Sequence, residues 1–170
     1  MLPLYSKPKT YLMKFAVITI LLIAFSAGIC QAQDHYLGTI EADSLLSGYT
    51  DFAVNYANYQ PDSATVAWLA ACKIDSIDIV LVLGTWCGDS KRNASALLKA
   101  LDEACNALLQ ADCYGIAPGK QFPADIVQKY AISYVPTVIV YHKGQEVGRI
   151  VEHPAKSMEH DLMAILQPLK

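Results

Sequence analysis

The sequence has few charged residues and no concentration of positive charge. Only 17% of its 170 residues are charged and 54% are apolar, and the 13 Lys and Arg are outnumbered by 16 Asp and Glu. An acidic chain without a basic run is poorly suited to bind nucleic acid or an anionic membrane surface. We therefore expect neither partner, and the length and apolar content predict one globular domain with an additional segment at one end.

Other signals are also missing from the chain. It has no internal repeat and no low-complexity tract, and its histidines do not recur at the short spacings typical of metal ligands. The four histidines are His35, His142, His153 and His160. We therefore expect no metal ion and no other cofactor.

The N-terminal apolar run is too short to span a membrane. It covers residues 15–25, about half of the ~20 residues that a transmembrane helix needs. Lys14 precedes the run, and Cys30 and Ala32 place small residues where a signal peptidase reads them. We predict that residues 1–32 are a secretory signal peptide, with Met13 as an alternative start, and that no membrane span is left after cleavage.

Export would place the mature chain in the periplasm or the extracellular space. These compartments are oxidising, so that disulfides persist in them. A lipid anchor on Cys30 is a weaker alternative, because Ile29 is bulky where lipoproteins usually carry a small residue.

The rest of the chain alternates between helix and strand patterns. Phe52, Tyr56 and Tyr59 recur at i, i+4 and i+7, which predicts a helical N-terminal extension over residues 33–61 before a domain over residues 62–170. The domain is predicted to contain a helix from 63, a buried strand over 77–84, a helix over 89–110, a strand over 113–117, a helix over 123–130, a hairpin of strands 138–141 and 147–151, and a last helix from 154. This order predicts an α/β fold with a mixed central sheet and helices on both faces.

The stretch GTWCGDSKRN joins the buried strand to the long helix. Trp86-Cys87-Gly88 in this stretch, together with Val135-Pro136 before the hairpin, resembles the active-site pattern of the thioredoxin superfamily. The resemblance implies a thioredoxin fold with an attacking thiol at Cys87 and a shielding ring at Trp86. It also implies a cis proline at Pro136, which lets the Val135 backbone pair with an extended substrate. A core aromatic at Trp86 and a plain turn proline at Pro136 are the alternatives.

The resemblance covers roughly residues 62–168 and breaks at three positions. Asp89 replaces the usual proline, and Ser90 replaces the second cysteine of the family's W-C-G-P-C motif. Leu81 stands where dithiol members carry a buried aspartate that accepts a proton. The attacking thiol is therefore retained, while the resolving thiol and its base are lost.

A lone thiol at this junction still has usable chemistry. The unpaired N–H groups and the dipole at a helix N-terminus favour the thiolate of Cys87, and the thiolate is the nucleophile. We expect the Ser90 hydroxyl to donate to the same sulfur, whereas the nearby Asp89 carboxylate opposes a second negative charge. Glu152, after the last strand, is a candidate proton acceptor, and a solvated loop carboxylate is the simpler interpretation.

The three other cysteines of the mature chain are expected to lie out of reach of Cys87. Cys105 is 18 residues further along the predicted helix, about 27 Å at ~1.5 Å per residue. Cys72 and Cys113 are predicted at the opposite end of the sheet. A structural disulfide between Cys105 and Cys113, or between Cys72 and Cys113, is one interpretation; the other is that all three are small core residues.

These observations predict an exported monothiol protein that acts in thiol–disulfide exchange on a protein client. Cys87 can reduce or isomerise a disulfide if an external thiol reductant or the client's own thiol resolves the intermediate. Two alternatives stay open. One is a non-catalytic module that binds an extended client, and the other is a thiol that senses peroxide through a sulfenic acid.

Overall fold

A computed structural model describes residues 35–170 of the chain. The predicted signal peptide and the lipid-anchor alternative concern residues 1–32, which lie outside the described residues. In chain order the described elements are β1 Gly38–Ile40, α1 Ala42–Gly48, α2 Thr50–Asn58, α3 Ser63–Ala70, β2 Ile77–Leu83, α4 Gly88–Ala104, β3 Ala111–Gly115, α5 Ala124–Lys129, β4 Thr137–His142, β5 Gln145–Val151 and α6 Met158–Leu166, followed by a 3₁₀ turn over Gln167–Leu169.

The five strands form one mixed sheet in the order β1-β3-β2-β4-β5. β2 and β3 are parallel, whereas β1 with β3, β2 with β4, and β4 with β5 are antiparallel. The prediction of an α/β fold of the thioredoxin type, with a parallel crossover and a terminal hairpin, is therefore confirmed. β1 was not predicted.

β2 is the central strand, and both of its faces are covered. Leu81 and Leu83 point into a larger core that the helices α1 to α4 and α6 complete, whereas Val80 and Val82 point into a smaller core with α5. A strand buried on both sides requires a nearly continuous apolar run, which is the pattern of residues 77–84. The prediction of helices on both faces is confirmed, and two residues separate the end of the strand from the W-C-G motif.

The segment before residue 62 packs into the larger core. The side chains of Leu45 on α1 and Phe52 on α2 are completely buried there. Ser95 of α4 donates to the Phe52 carbonyl at 3.0 Å, and Lys91 of α4 lies 2.6 Å from the Asp51 carboxylate. α2 thus contacts the helix that begins at Cys87.

The long helix ends six residues earlier than the apolar stripe predicts. Cys105 adopts φ +49 and caps the C-terminus of α4, and its N–H donates to the carbonyls of Leu101 and Asp102. The side-chain amide of Asn106 then donates hydrogen bonds to the carbonyls of Leu69, near the end of α3, and of Cys72. Leu108 continues the stripe in the sequence but is exposed in the structure, so its spacing was misleading.

A buried carboxylate ties α6 to the chain between α2 and α3. Glu159 is 2% exposed, and it accepts hydrogen bonds from the Tyr59 hydroxyl at 2.7 Å and from the Asp62 N–H at 3.1 Å. Burial by itself would raise the pKa of Glu159, but these hydrogen bonds outweigh it and hold the pKa below its ordinary value. The carboxylate therefore stabilises the fold in its charged form.

We expect Glu159→Gln to lower the free energy of unfolding by about 2 kcal/mol at neutral pH, because the charge-assisted hydrogen bonds are replaced by weaker ones. A carboxyl whose pKa is lower in the folded state stabilises the protein above its unfolded pKa, about 4.3, and loses this effect as the pH falls. The difference between wild type and variant should therefore shrink in acid. Urea unfolding at neutral pH and at a pH well below 4 measures this difference in the free energy of unfolding. An equal difference at the two pH values would contradict the prediction.

Candidate functional site

Cys87 lies where β2 passes into α4 and is the N-cap residue of that helix. Its side chain is partly exposed, and its Sγ donates a hydrogen bond to the Val135 carbonyl at 3.4 Å. The first N–H groups of a helix have no intrahelical acceptor and favour an anion next to them. The position therefore combines access from solvent with the N-terminal end of a helix.

The loop before β4 forms the other wall of the site. The Val135–Pro136 peptide bond is cis, and the Val135 carbonyl is the group that meets Cys87. The Val135 N–H has no hydrogen-bond acceptor among residues 35–170, whereas the Pro136 carbonyl accepts the Glu152 N–H at 2.8 Å. The structure thus brings Val135 and Pro136 next to the thiol, as the sequence pattern implied.

Trp86 is half-buried and anchored by a hydrogen bond to the loop after β3. Its Nε1 donates to the Ile116 carbonyl at 2.9 Å, and its ring packs against the smaller core. The ring also lies over Gly84, where a Cβ atom would come within 2.6 Å of it. Trp86 is therefore a core aromatic next to Cys87 in the chain, and its shielding of the thiol stays a prediction.

Ser90 is completely buried below the thiol. Its Oγ accepts the Gly84 N–H at 3.1 Å, which closes the junction between β2 and α4. Among residues 35–170 no hydrogen bond joins Ser90 to the Cys87 sulfur. The expected donation from Ser90 to Cys87 is thus not part of this structure, because the Ser90 side chain is turned towards the strand.

Glu152 follows β5 with φ +57 and takes part in the site through its backbone. Its N–H binds the Pro136 carbonyl, and its own carbonyl accepts the Asn93 amide at 2.6 Å. The carboxylate forms no hydrogen bond or ion pair with the described residues, so its proposed role as proton acceptor stays a prediction. Sequence reasoning missed Asn93, although a polar residue four positions before Leu97 on the buried helix face was the available signal.

We expect Asn93→Ala to slow disulfide exchange at Cys87 and to lower the free energy of unfolding by about 1–3 kcal/mol. The substitution leaves the Glu152 carbonyl without its donor and loosens the link from α4 to the loop of Pro136. Asn106→Ala is the matched control, because Asn106 is also a buried asparagine that donates to backbone carbonyls, at the far end of α4. Equal losses of exchange rate in the two variants, measured with a peptide disulfide, would contradict a role for Asn93 in the site.

Charged side chains surround the first turn of α4. Asp89 forms ion pairs with Arg92 and, at 4.0 Å, with His153 when the imidazole is protonated. The Asp89 carboxylate is thus engaged by neighbouring side chains. The contact with His153 joins segments far apart in the sequence, and no local pattern announced it.

The other described cysteines are free thiols, so the possible disulfide between Cys105 and Cys113 is not formed. Cys105 is exposed beyond the end of α4, whereas Cys113 is buried in the larger core. Cys113 also lies opposite Leu81 in the middle of the sheet, not at its far end as predicted. Burial, with smaller contributions from Asp112 and Glu41, raises the pKa of Cys113 to about 12, so the thiolate form is disfavoured at neutral pH.

Cys87 therefore has no resolving partner among the described residues. Cys105 caps the opposite end of the 17-residue helix α4, and Cys72 and Cys113 are buried. Residues 35–170 contain no group of three or more His, Cys, Asp or Glu side chains that fits a metal ion. In the same range, no helix combines the length and the apolar character that crossing a bilayer requires.

Comparison with known proteins gives similarity of fold. No protein-family model and no curated protein matches the chain. The crystal structure of an HIV epitope-scaffold is 19% identical, with a TM-score of 0.55 over 77% of this chain and 92% of that chain. A protein of unknown function from Pseudomonas aeruginosa is 18% identical, with a TM-score of 0.53 over 87% of this chain and 92% of that chain.

Mitochondrial thioredoxin 3 from Saccharomyces cerevisiae, in its oxidised form, is also among the similar structures. It is 15% identical, with a TM-score of 0.36 over 67% of this chain and 98% of that chain. At such low identities the first two similarities concern the fold alone, and none of the three bears on activity.

Proposed function

We propose that this protein is an exported thioredoxin-like monothiol protein in which Cys87 exchanges disulfides with a protein client. One observation carries the proposal: the Cys87 thiol is partly exposed at the N-terminus of α4 and lies 3.4 Å from the Val135 carbonyl. A nucleophile and a backbone edge for an extended chain thus meet at one place. The N-terminal signal pattern supports export, and N-terminal sequencing of the secreted chain tests it.

The exchange begins with attack of the Cys87 thiolate on one sulfur of a client disulfide. The Cys87 thiol first loses its proton, for which the Glu152 carboxylate is the candidate acceptor. A bond then forms between that client sulfur and Cys87 Sγ, the client S–S bond breaks, and the released client thiolate takes up a proton, either this one from Glu152 or one from solvent. In a second step, an external thiol reductant or another thiol of the client attacks the mixed disulfide and releases Cys87.

The client would lie along Val135 as an added strand. Formation of the thiolate removes the proton that Cys87 donates to the Val135 carbonyl, which frees this acceptor beside a Val135 N–H that no acceptor of residues 35–170 binds. Backbone pairing of this kind provides affinity without requiring a particular client sequence. Trp86 limits the access of water to the sulfur on the other side.

The rate of alkylation tests whether Cys87 is an activated thiol. The Cys105→Ser variant is the suitable background, because Cys105 is the other exposed cysteine of residues 35–170. We expect Cys87 to be alkylated faster at neutral pH in the folded protein than in the urea-unfolded chain, because its sulfur lies at the N-terminus of α4. An equal or slower rate in the folded protein would favour the non-catalytic binding module instead.

A further inference from the structure

Three lysines that are far apart in the sequence line one pocket of the fold. They are Lys73 in the loop after α3, Lys143 in the turn between β4 and β5, and Lys170 at the 3₁₀ turn after α6. The pocket has a volume of about 500 Å³, and we refer to it as the lysine pocket. The fold therefore brings cations together although the sequence contains no basic run.

Hydrogen bonds shape the lysine pocket near the start of β2. The Lys143 N–H donates to the Ser76 carbonyl at 2.9 Å, which joins the turn between β4 and β5 to the loop after α3. The Cys72 carbonyl in that loop accepts the Asn106 amide at 2.8 Å. Cys87 follows the other end of this seven-residue strand, and a strand of this length spans roughly 20 Å at ~3.3 Å per residue. The lysine pocket is thus separate from the candidate site.

Acidic side chains do not neutralise the lysines of the pocket. Within residues 35–170, the ion pairs of lysine and arginine with acids involve four residues outside the pocket, namely Lys91, Arg92, Lys99 and Arg149. Asp75 and His142 are the other ionisable side chains of the lining, and neither is within ion-pair distance of a pocket lysine. The chain has 16 Asp and Glu against 13 Lys and Arg, so acids are plentiful elsewhere. The pocket therefore offers positive charge to an anion that the described part of the chain does not provide.

The three ammonium groups differ in how they are held. Lys170 Nζ lies 3.9 Å from the centre of the Trp68 ring, and such a cation–π contact orients the ammonium group without neutralising its charge. Lys73 and Lys143 are exposed, and no hydrogen bond or ion pair within residues 35–170 engages their side chains. Lys73 and Lys143 are therefore free to contact a ligand.

One wall of the lysine pocket is apolar. Ile74 is 8% exposed and belongs to the larger core, and Leu169 packs against that core. Both side chains line the pocket together with the lysines. Binding sites for small molecules usually have volumes of roughly 300–1,000 Å³ and combine apolar walls with a few polar groups. The lysine pocket has this size and this combination.

We propose that the lysine pocket binds a small organic anion with an apolar body, of the class of medium-chain carboxylates. The acid group of the ligand contacts Lys73 and Lys143, and its apolar body covers Ile74 and Leu169. Charge-assisted hydrogen bonds to two otherwise unpaired ammonium groups favour an anion over a neutral molecule. Burial of the methylene groups adds affinity because it removes apolar surface from water. This binding site does not depend on disulfide exchange at Cys87.

Isothermal titration calorimetry with octanoate tests the proposal. We expect octanoate to bind at one site per chain. Acetate has the same acid group without the apolar body and should bind at least about 100-fold more weakly. Octyltrimethylammonium has the same apolar chain with the opposite charge and should bind at least about tenfold more weakly than octanoate.

Substitutions of opposite sign locate the anion in the lysine pocket. The double variant Lys73→Gln/Lys143→Gln should bind octanoate about tenfold more weakly, because both ammonium contacts are lost. Asp75→Asn should bind it about two- to threefold more tightly, because a like charge leaves the lining. Lys156→Gln is the matched control and should leave the affinity unchanged. Lys156 is an exposed lysine outside the lining, and no ion pair within residues 35–170 engages it.

Several outcomes would overturn the proposal. They are no binding of octanoate up to about 10 mM, equal binding of octanoate and octyltrimethylammonium, and equal effects of the double variant and Lys156→Gln. Backbone amide shifts in NMR spectra on titration with octanoate should be largest at residues 71–75 and 142–143, and shifts confined to residues 87–90 would contradict the site. Cys87→Ser should bind octanoate like wild type, so the failure of one proposal leaves the other standing.

Discussion

Replacing Cys87 by Ser should abolish mixed-disulfide formation between this protein and peptide disulfides. The serine hydroxyl is not ionised at neutral pH and cannot form a disulfide, so we expect the exchange rate to fall by more than about 100-fold. The fold should be unaffected, because the Cys87 side chain makes one hydrogen bond, to the Val135 carbonyl, which a hydroxyl can also make. Release of a coloured thiolate from a peptide disulfide measures the rate.

Cys105→Ser is the matched control for this experiment. Cys105 is exposed and lies at the opposite end of the same helix, so its removal tests whether any accessible thiol suffices. We expect it to leave the rate unchanged. If Cys105→Ser lost the activity and Cys87→Ser kept it, the reacting thiol would be Cys105 and not Cys87.

Replacing Ser90 by Cys should convert the monothiol site into one that resolves its own intermediates. Residues three apart at the start of a helix are neighbours, so a thiol at position 90 lies close enough to attack the mixed disulfide on Cys87. Such an intramolecular attack has a high effective concentration, and we expect the lifetime of the mixed disulfide to shorten by about 100-fold or more. Mass spectrometry of acid-quenched samples measures this lifetime.

The substitution has a cost and needs a matched control. The Gly84 N–H loses its hydroxyl acceptor, which should lower the free energy of unfolding by about 1 kcal/mol. Ser95→Cys places a thiol at another buried serine of α4, about 12 Å from Cys87 along the axis. This variant should leave the lifetime as in wild type. A long-lived mixed disulfide in Ser90→Cys would show that position 90 does not face the reacting sulfur.

The strand–helix junction was predictable because its signals are local. The apolar run of residues 77–84 and the change to a helical period afterwards are properties of neighbouring residues, and they place Cys87 at a helix start. The end of α4 was not predictable in the same way. Its apolar stripe continues to Leu108, but the helix ends at Ala104 and Cys105 caps it. Asn106 then donates hydrogen bonds to backbone carbonyls at the end of α3 and just after it.

The predictions for the cysteines were likewise correct where local spacing sufficed and wrong where the packing of the strands mattered. Spacing along one helix sufficed to separate Cys105 from Cys87, since the rise per residue fixes the distance. The position of Cys113 depended on the register of β3 against β2, which the pattern did not give, and it lies beside Leu81 and not at the end of the sheet. Its chemical inertness follows from burial in the core, which is a property of the assembled fold.

The sequence by itself determined the α/β architecture, the position of Cys87 and the loss of a second thiol at position 90. These depend on periodicity and residue identity over a few turns of chain. Only the tertiary structure decided that the Val135 carbonyl meets the thiol and that Asn93 is linked through Glu152 to Pro136. Contacts across about 50 residues depend on how strands and loops pack together, and no local pattern of side chains records that packing.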